Sequence, residues 1–191
     1  MRIKTAVWFV GATLLAETPS HAPRYTPDGQ LMRPDDYREW VFLSSGLGMN
    51  YGPASPTRSG PQRFDNVFVT PEAYKAFRET GRWPDKTMFA LEVRESSSHG
   101  SINQDGSFQT DLAAVEVLVR DESRFKEKWA FFGFNVRNGE VPETARMFGR
   151  EAGCLACHSA NGAVDGTFVQ FYPTLLPIAK AKGTLRPGFK P

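Results

Sequence analysis

The two cysteines of the chain lie close together and are followed directly by a histidine, in the sequence Cys154-Leu155-Ala156-Cys157-His158. C-x-x-C-H is the pattern by which c-type haem is attached to a polypeptide. On one helical turn the two thiols lie side by side, so both can add to the vinyl groups of one porphyrin, and the next residue is placed to bind the iron. The spacing therefore predicts one covalent haem c per chain, held by Cys154 and Cys157, with His158 as the metal ligand.

Two other cysteine chemistries, and a chance occurrence of the motif, compete with this interpretation. A closed zinc site needs four protein ligands, but beyond residue 22 the chain supplies two cysteines and two histidines, His99 and His158. A thioredoxin-like redox pair is expected within a βαβ unit, and the sequence around the motif does not have that pattern. Haem attachment therefore accounts best for the motif.

Residues 1–22 have the pattern of a signal peptide. Arg2 and Lys4 precede an apolar run at residues 6–16, and residues 20–22 form a small-x-small cleavage site. As a helix, this run reaches only about half of the ~30 Å hydrocarbon core, so we expect no stable membrane span. The alternative is an N-terminal core helix. The pattern predicts a periplasmic or otherwise exported protein.

The remaining residues, 23–191, are expected to form a single domain. Basic and acidic residues are nearly balanced, 23 against 21, which gives no footprint for nucleic-acid binding. The following stretches are predicted as strands or helices: strands at 40–43, 64–69, 87–93, 112–119 and 129–136, and helices at 71–80, from 141 toward the cysteines, and at 174–182. The predicted fold is α+β, with a mainly antiparallel, curved sheet of about five strands, a short helix and a C-terminal helical segment that carries CxxCH.

The sequence also bears on the second axial position of the iron. Small helical electron-transfer cytochromes carry a methionine well downstream of the motif, whereas the 33 residues after His158 contain neither Met nor His. Met49, in a long loop, is the best candidate from elsewhere in the chain. An open sixth position is thus expected, and it favours binding of small ligands over electron transfer alone.

Four other segments, PDDYREWVF, NVFVTPEAYKAFRETGRWPD, SRFKEKWAFFGF and FVQFYP, resemble the cytochrome P-460 family, including its cytochrome c′-beta branch. The resemblance extends over about residues 25–183. It implies a five-coordinate haem c with a histidine ligand, a mainly antiparallel sheet and a homodimer. Namesake members oxidise hydroxylamine, and a strand lysine bonds covalently to their porphyrin. Members of the c′-beta branch lack this bond and bind NO and CO in an apolar pocket.

The position of the crosslinking lysine distinguishes these two branches. Aligned on Gly81, Asp85 and Thr87, the chain has Leu91 at that position. Lys86 and Lys128 are remoter substitutes, so the resemblance implies the c′-beta branch.

The strand that contains Leu91 also suggests which residues face the ligand. Phe89 and Leu91 share the more apolar side, and Phe134, from the Phe131, Phe132 and Phe134 set, is expected to join them at the cofactor. The alternative is that all are ordinary core residues. The acids Glu92, Glu116 and Asp111 are expected to face solvent.

These observations predict an exported monohaem cytochrome that binds or detoxifies NO or similar small ligands and exchanges electrons with a soluble redox partner. The alternative is a hydroxylamine-oxidising enzyme with a crosslinked haem. A third possibility is a plain electron carrier with Met49 as the second iron ligand.

Overall fold

The computed structural model describes residues 21–50 and 62–189, which form one five-stranded antiparallel sheet with helices on one face. The strands are β1 (Leu31–Met32), β2 (Val41–Leu47), β3 (Phe64–Val69), β4 (Met88–Ser97), β5 (Phe108–Arg120), β6 (Trp129–Asn135) and β7 (Thr144–Ala145). The α-helices are α1 (Pro71–Thr80), α2 (Cys154–Asn161) and α3 (Leu176–Ala181), and short 3-10 helices lie at Tyr37–Glu39, Arg150–Ala152 and Val169–Phe171.

The main sheet follows chain order, β2-β3-β4-β5-β6, and every neighbouring pair is antiparallel. β1 and β7 pair separately in a small two-stranded sheet. The predicted α+β class, the five-stranded antiparallel sheet and the C-terminal helix bearing the motif are confirmed.

Each face of the main sheet is covered by its own hydrophobic core. Phe89 and the apolar side of α1 lie on one face, together with the segment after α2. Ala90, Val117 and Phe132 lie on the other face, against Trp40 and the residues near the N-terminus. Because successive side chains of a strand point to opposite faces, a shift of one residue moves a side chain from one core to the other.

Helix α1 has the predicted bounds. Pro71 fits the first helical position, where no backbone N–H is needed. Gly81 ends the helix with a φ of 73°, and its N–H bonds the carbonyl of Phe77 at 2.7 Å. Thr70 precedes the helix as expected, although its side chain makes no capping hydrogen bond.

The prediction of a helix from residue 141 toward the cysteines is wrong. Thr144–Ala145 is instead a short strand that pairs with β1. Met147 then bridges to Phe132, and the N–H of Phe148 bonds the carbonyl of Phe131 at 2.8 Å. Backbone groups that pair with β1 and β6 cannot also make helical hydrogen bonds, so tertiary pairing overrides the local pattern.

The predicted signal peptide, residues 1–22, lies outside the described residues apart from His21 and Ala22, and it stays a prediction. His21 Nδ1 lies 2.9 Å from Glu72 Oε1, so residue 21 contacts the first turn of α1. Among the described residues, no helix is both long enough and apolar enough to cross a membrane.

Glu92 does not face solvent as expected. It is 1% exposed, because the face of β4 opposite the helices is covered by the chain near Tyr37. Its carboxylate accepts hydrogen bonds from Tyr37 Oη at 2.5 Å, Asn66 Nδ2 at 3.1 Å and Arg94 Nε at 2.8 Å, and Arg38 pairs with it at 2.5 Å. Burial alone would favour the protonated acid, but these donors hold the pKa of Glu92 below its usual range.

This network predicts a pH-dependent loss of stability in Glu92→Gln. Since the folded-state pKa is lowered, the charged form adds stability above the unfolded-state pKa, and this stability disappears as pH falls through the folded-state pKa. We expect Glu92→Gln to lower the free energy of unfolding by about 2 kcal/mol near neutral pH, with the difference shrinking in acid. Urea denaturation measures it.

The matched control is Glu95→Gln on the same strand, where the lost partner is the exposed Arg63. Its free energy of unfolding should change by less than about 0.5 kcal/mol. Equal losses in the two variants would contradict a special role for the buried carboxylate.

Candidate functional site

Helix α2 presents the two thiols and the imidazole of the motif to one cavity. Gly153, with a φ of 71°, precedes the helix and accepts a hydrogen bond from the N–H of Cys157 at 3.0 Å. Cys154 and Cys157 are one helical turn apart and therefore share a face. Both are free thiols, both are partly buried, and both line the same cavity as His158.

The imidazole of His158 is held in one tautomer. Its Nδ1 lies 2.8 Å from the carbonyl oxygen of Gly166. A carbonyl only accepts hydrogen bonds, so Nδ1 carries the proton and Nε2 keeps its lone pair for a metal. Burial lowers the pKa of His158, which keeps the ring neutral, although the bond to Gly166 opposes that shift. The rings of Phe131 and Phe168 pack against the imidazole, at centroid distances of 4.7 and 4.3 Å.

The opposite wall of the cavity is the sheet. The cavity has a volume of about 270 Å³. One cross-strand row of the wall runs from Val67 through Leu91 to Glu116, and the next row runs from Phe89 to Phe131. The apolar part of the lining is formed by these side chains: Val67, Phe89, Leu91, Leu118, Phe131, Phe148, Phe168, Phe171 and Tyr172.

A covalent haem needs two thiols on one helical turn and a neutral histidine with a free Nε2 as its donors. It also needs a largely apolar wall facing them. These residues therefore fit haem c. Cys154 and Cys157 would bind the porphyrin, and His158 would bind the iron.

Phe89 and Leu91 both line the cavity, but Phe134 does not. Phe134 is fully buried in the core on the other side of the sheet. It pairs with Val115, whereas the adjacent pair, Glu116 and Gly133, belongs to the other face, on which Glu116 lines the cavity. The assignment of Phe134 to the cofactor is therefore corrected. Phe131, on the other parity of β6, takes that place, and only the strand register distinguishes the two phenylalanines.

No lysine is found among the described residues that line the cavity. Lys86 pairs with Asp121 at a chain corner, and Lys128 pairs with Glu122 at 3.3 Å. Leu91 lies in the middle of the sheet wall, between the strand partners Val67 and Glu116.

Glu116 is exposed, as the sequence predicts, and the space that it faces is the cavity. Its direct partners across the sheet are Leu91 and Gly133. The surrounding protein atoms desolvate its carboxylate and Asp65 adds negative charge, so the pKa of Glu116 is raised. Asp65 lines the same cavity. Strand alternation from Leu91, combined with the pairing of β4 with β5, is the signal that places Glu116 at the cavity.

Met49 also lines this cavity. Its Sδ lies where a side chain on Gly46 would have to go, 2.3 Å from the position of a Cβ atom there. Gly46 thus provides the space that Met49 occupies. The proposed third interpretation, with Met49 as an iron ligand, remains open to the spectroscopic test given below.

A haem-binding cytochrome is the class of protein that this fold and cavity define. Residues 34–169, most of the chain, match the family model of Cytochrome P460, and the chain belongs to that family. The resemblance found in the sequence is therefore confirmed. A search of curated proteins gave no match.

The raised pKa of Glu116 predicts that this side chain stays protonated at a higher pH than an ordinary glutamic acid. Replacing Asp65 with Asn should lower the pKa of Glu116, because one of the two causes of the shift is removed. Infrared titration of the carboxylic C=O band, assigned with Glu116→Gln, measures the midpoint.

Asp111→Asn is the control, since Asp111 is an exposed acid on the same strand. It should leave the titration of Glu116 unchanged. A midpoint that moves equally in both variants would contradict the pairing of Asp65 with Glu116.

Proposed function

We propose that this chain is an exported monohaem c-type cytochrome with a five-coordinate iron, which binds or detoxifies NO or similar small ligands. The haem is attached through Cys154 and Cys157, and His158 is the iron ligand. The observation that carries this proposal is the single cavity that brings both thiols and the free Nε2 of His158 opposite an apolar sheet wall.

Bound haem supplies an iron centre that exchanges one electron and holds a small ligand at an open position. The chain determines what reaches that position. Val67, Leu91 and Leu118 offer no hydrogen bond to a charged or strongly hydrated molecule, so the wall favours small, weakly polar ligands such as NO and CO. Leu91 also provides no nucleophile for a second covalent bond to the porphyrin.

Export supports the same assignment. Haem attachment requires reduced thiols and occurs outside the cytoplasm, which agrees with the signal-peptide pattern of residues 1–22. Burial, and then the nearby Glu116, raise the pKa of the Cys154 thiol, so the thiol is protonated near neutral pH. A soluble redox partner and a homodimer complete the proposal.

We expect the ferrous protein, matured with haem c, to give a high-spin spectrum that changes on addition of CO. Intact mass should show one haem per chain, and Cys154→Ala/Cys157→Ala should lose the covalent adduct. Met49→Ala should leave the ferrous spectrum unchanged. A low-spin, six-coordinate ferrous spectrum that is lost in Met49→Ala would contradict the open iron and support the plain electron carrier.

A second candidate function is oxidation of hydroxylamine, and the observation that favours it is Glu116. Removing electrons from hydroxylamine also releases protons, so an acceptor beside the substrate is needed. A carboxylate with a raised pKa, on the row that contains Leu91, is placed to accept a proton at its carboxylate oxygen. Leu91 opposes this function, because it cannot form the porphyrin crosslink implied by the namesake members.

The two candidates differ in what Glu116→Gln changes. If the protein oxidises hydroxylamine, this substitution should lower the rate by roughly 10²–10⁴-fold, the usual contribution of a general base, while CO binding persists. Anaerobic assays with an artificial electron acceptor measure the rate, with Asp111→Asn as the control. A wild-type protein without turnover and with an ordinary c-type ferrous spectrum excludes the second candidate.

A further inference from the structure

The turn at residues 164–167 carries the acceptor of the histidine hydrogen bond. The N–H of Thr167 bonds the carbonyl of Val164 at 2.8 Å, and the N–H of Val164 faces the carbonyl of Thr167 at 3.4 Å. Between them, Asp165 and Gly166 both have positive φ, 49° and 72°. Positive φ at both central residues is the pattern of a type I′ turn. The conformation of this turn therefore determines where the Gly166 carbonyl meets His158.

Gly162 limits how the turn can move. A Cβ atom at Gly162 would lie 2.5 Å from the carbonyl carbon of Gly166 and 2.7 Å from the backbone nitrogen of Thr167. The backbone after α2 and the backbone of the turn thus pack directly against each other, which only glycine allows. The N–H of Gly162 also bonds the carbonyl of His158 at 2.8 Å. The turn cannot approach the helix more closely.

The side chain of Asp165 ties the other side of the turn to the α1–β4 connection. Its Oδ1 accepts a hydrogen bond from Arg82 Nη1 at 2.5 Å, and its Oδ2 accepts one from the backbone N–H of Trp83 at 3.4 Å. Arg120, at the end of β5, lies 3.8 Å from Oδ2. The indole N–H of Trp83 also donates to Thr167 Oγ1 at 2.8 Å. The turn is therefore held between this connection and α2.

Asp165 has no part in lining the cavity, and its exposed fraction is only 17%. A charged-group hydrogen bond at a largely buried carboxylate is stronger than one at the surface. The clamp formed by Arg82, Trp83 and Asp165 is therefore a rigid support for the Gly166 carbonyl.

We propose that Asp165 is a positioning residue for the axial ligand, acting through the carbonyl of Gly166 on the imidazole of His158. This inference rests on the proposed binding of the haem iron by His158. An acceptor held firmly at Nδ1–H orients the ring and increases the basicity of Nε2. A more basic ligand stabilises the oxidised iron. Loosening the clamp weakens this hydrogen bond, so the reduction potential rises.

The test is to measure the reduction potential of the haem-loaded protein in two variants, each of which removes one partner of the Arg82–Asp165 contact. Asp165→Gly removes the carboxylate, and glycine adopts positive φ without strain. Arg82→Gln removes the main partner of that carboxylate. In both variants we expect the equilibrium constant for one-electron reduction to rise about three- to tenfold, where tenfold corresponds to about 59 mV.

The two substitutions separate positioning from a simple effect of charge. Loss of the negative Asp165 favours reduction, whereas loss of the positive Arg82 disfavours it, if charge alone acts on the iron. A positioning role predicts positive shifts in both variants. Shifts of opposite sign, or no shift in either variant, would overturn the proposal.

Arg33→Gln is the control, because Arg33 pairs with Asp35 at 2.6 Å and lies beside Tyr37 and Val115, which belong to the core on the other face of the sheet. It should leave the potential unchanged. Asp165→Asn tolerates positive φ and keeps one of the two acceptor oxygens, which can still accept from Arg82, so it should remain closer to wild type than Asp165→Gly. If Asp165 contributed only to stability, its substitutions would lower the free energy of unfolding in urea but would not order the reduction potentials in this way.

His158→Ala distinguishes failure of this inference from failure of the proposed function. If its ferrous spectrum equals that of the wild type, His158 does not bind the iron, and the proposed function fails. If His158→Ala changes the spectrum but Asp165→Gly and Arg82→Gln keep the wild-type potential, only the positioning role of Asp165 is wrong.

Discussion

The hydrogen bond from Nδ1 of His158 to the carbonyl of Gly166 connects the two parts of the protein that must cooperate at the site. Helix α2 carries the imidazole, while the acceptor lies on a turn that is anchored to the α1–β4 connection. The bond assigns the proton to Nδ1 and directs Nε2 toward the cavity. Burial that lowers the pKa of His158 works in the same direction, since a metal binds the neutral ring.

The sheet supplies the facing wall through the alternation of its strands. One face of β4 presents Phe89 and Leu91 to the cavity, and the other face presents Ala90 and Glu92 to a separate core. Both faces are buried, so the sheet is held rigid on two sides and the cavity wall has little freedom to rearrange. Glu116 is the one acid in an otherwise apolar row. The two proposed functions differ in whether this side chain accepts a proton, because ligand binding does not need a proton acceptor and hydroxylamine oxidation does.

Sequence reasoning located the parts of the fold and of the site that depend on local chemistry. The bounds of α1 followed from Pro71 and Gly81, and Cys154, Cys157 and His158 from a motif with fixed spacing. It was wrong about Glu92 and Phe134, because polarity along one strand does not reveal that a sheet is covered on both faces. Such assignments depend on which residues of distant segments pack against each strand.

The same limit explains the wrongly predicted helix and the cavity position of Glu116. The chain from residue 141 is extended because Thr144–Ala145 pairs with β1 and Met147 bridges to Phe132 of β6. Glu116 enters the cavity because the register of β4 and β5 sets it beside Leu91. Long-range strand pairing, rather than propensity, determined both outcomes.

Resonance Raman spectroscopy of the ferrous, haem-loaded protein tests the central claim most directly, because an iron–histidine stretching band is seen when the iron is five-coordinate with a histidine ligand. The structure predicts this band in the wild type, a shift when histidine is labelled with ¹⁵N, and its loss in His158→Ala. A ferrous protein that shows only six-coordinate, low-spin bands, or a band that persists in His158→Ala, would contradict the account.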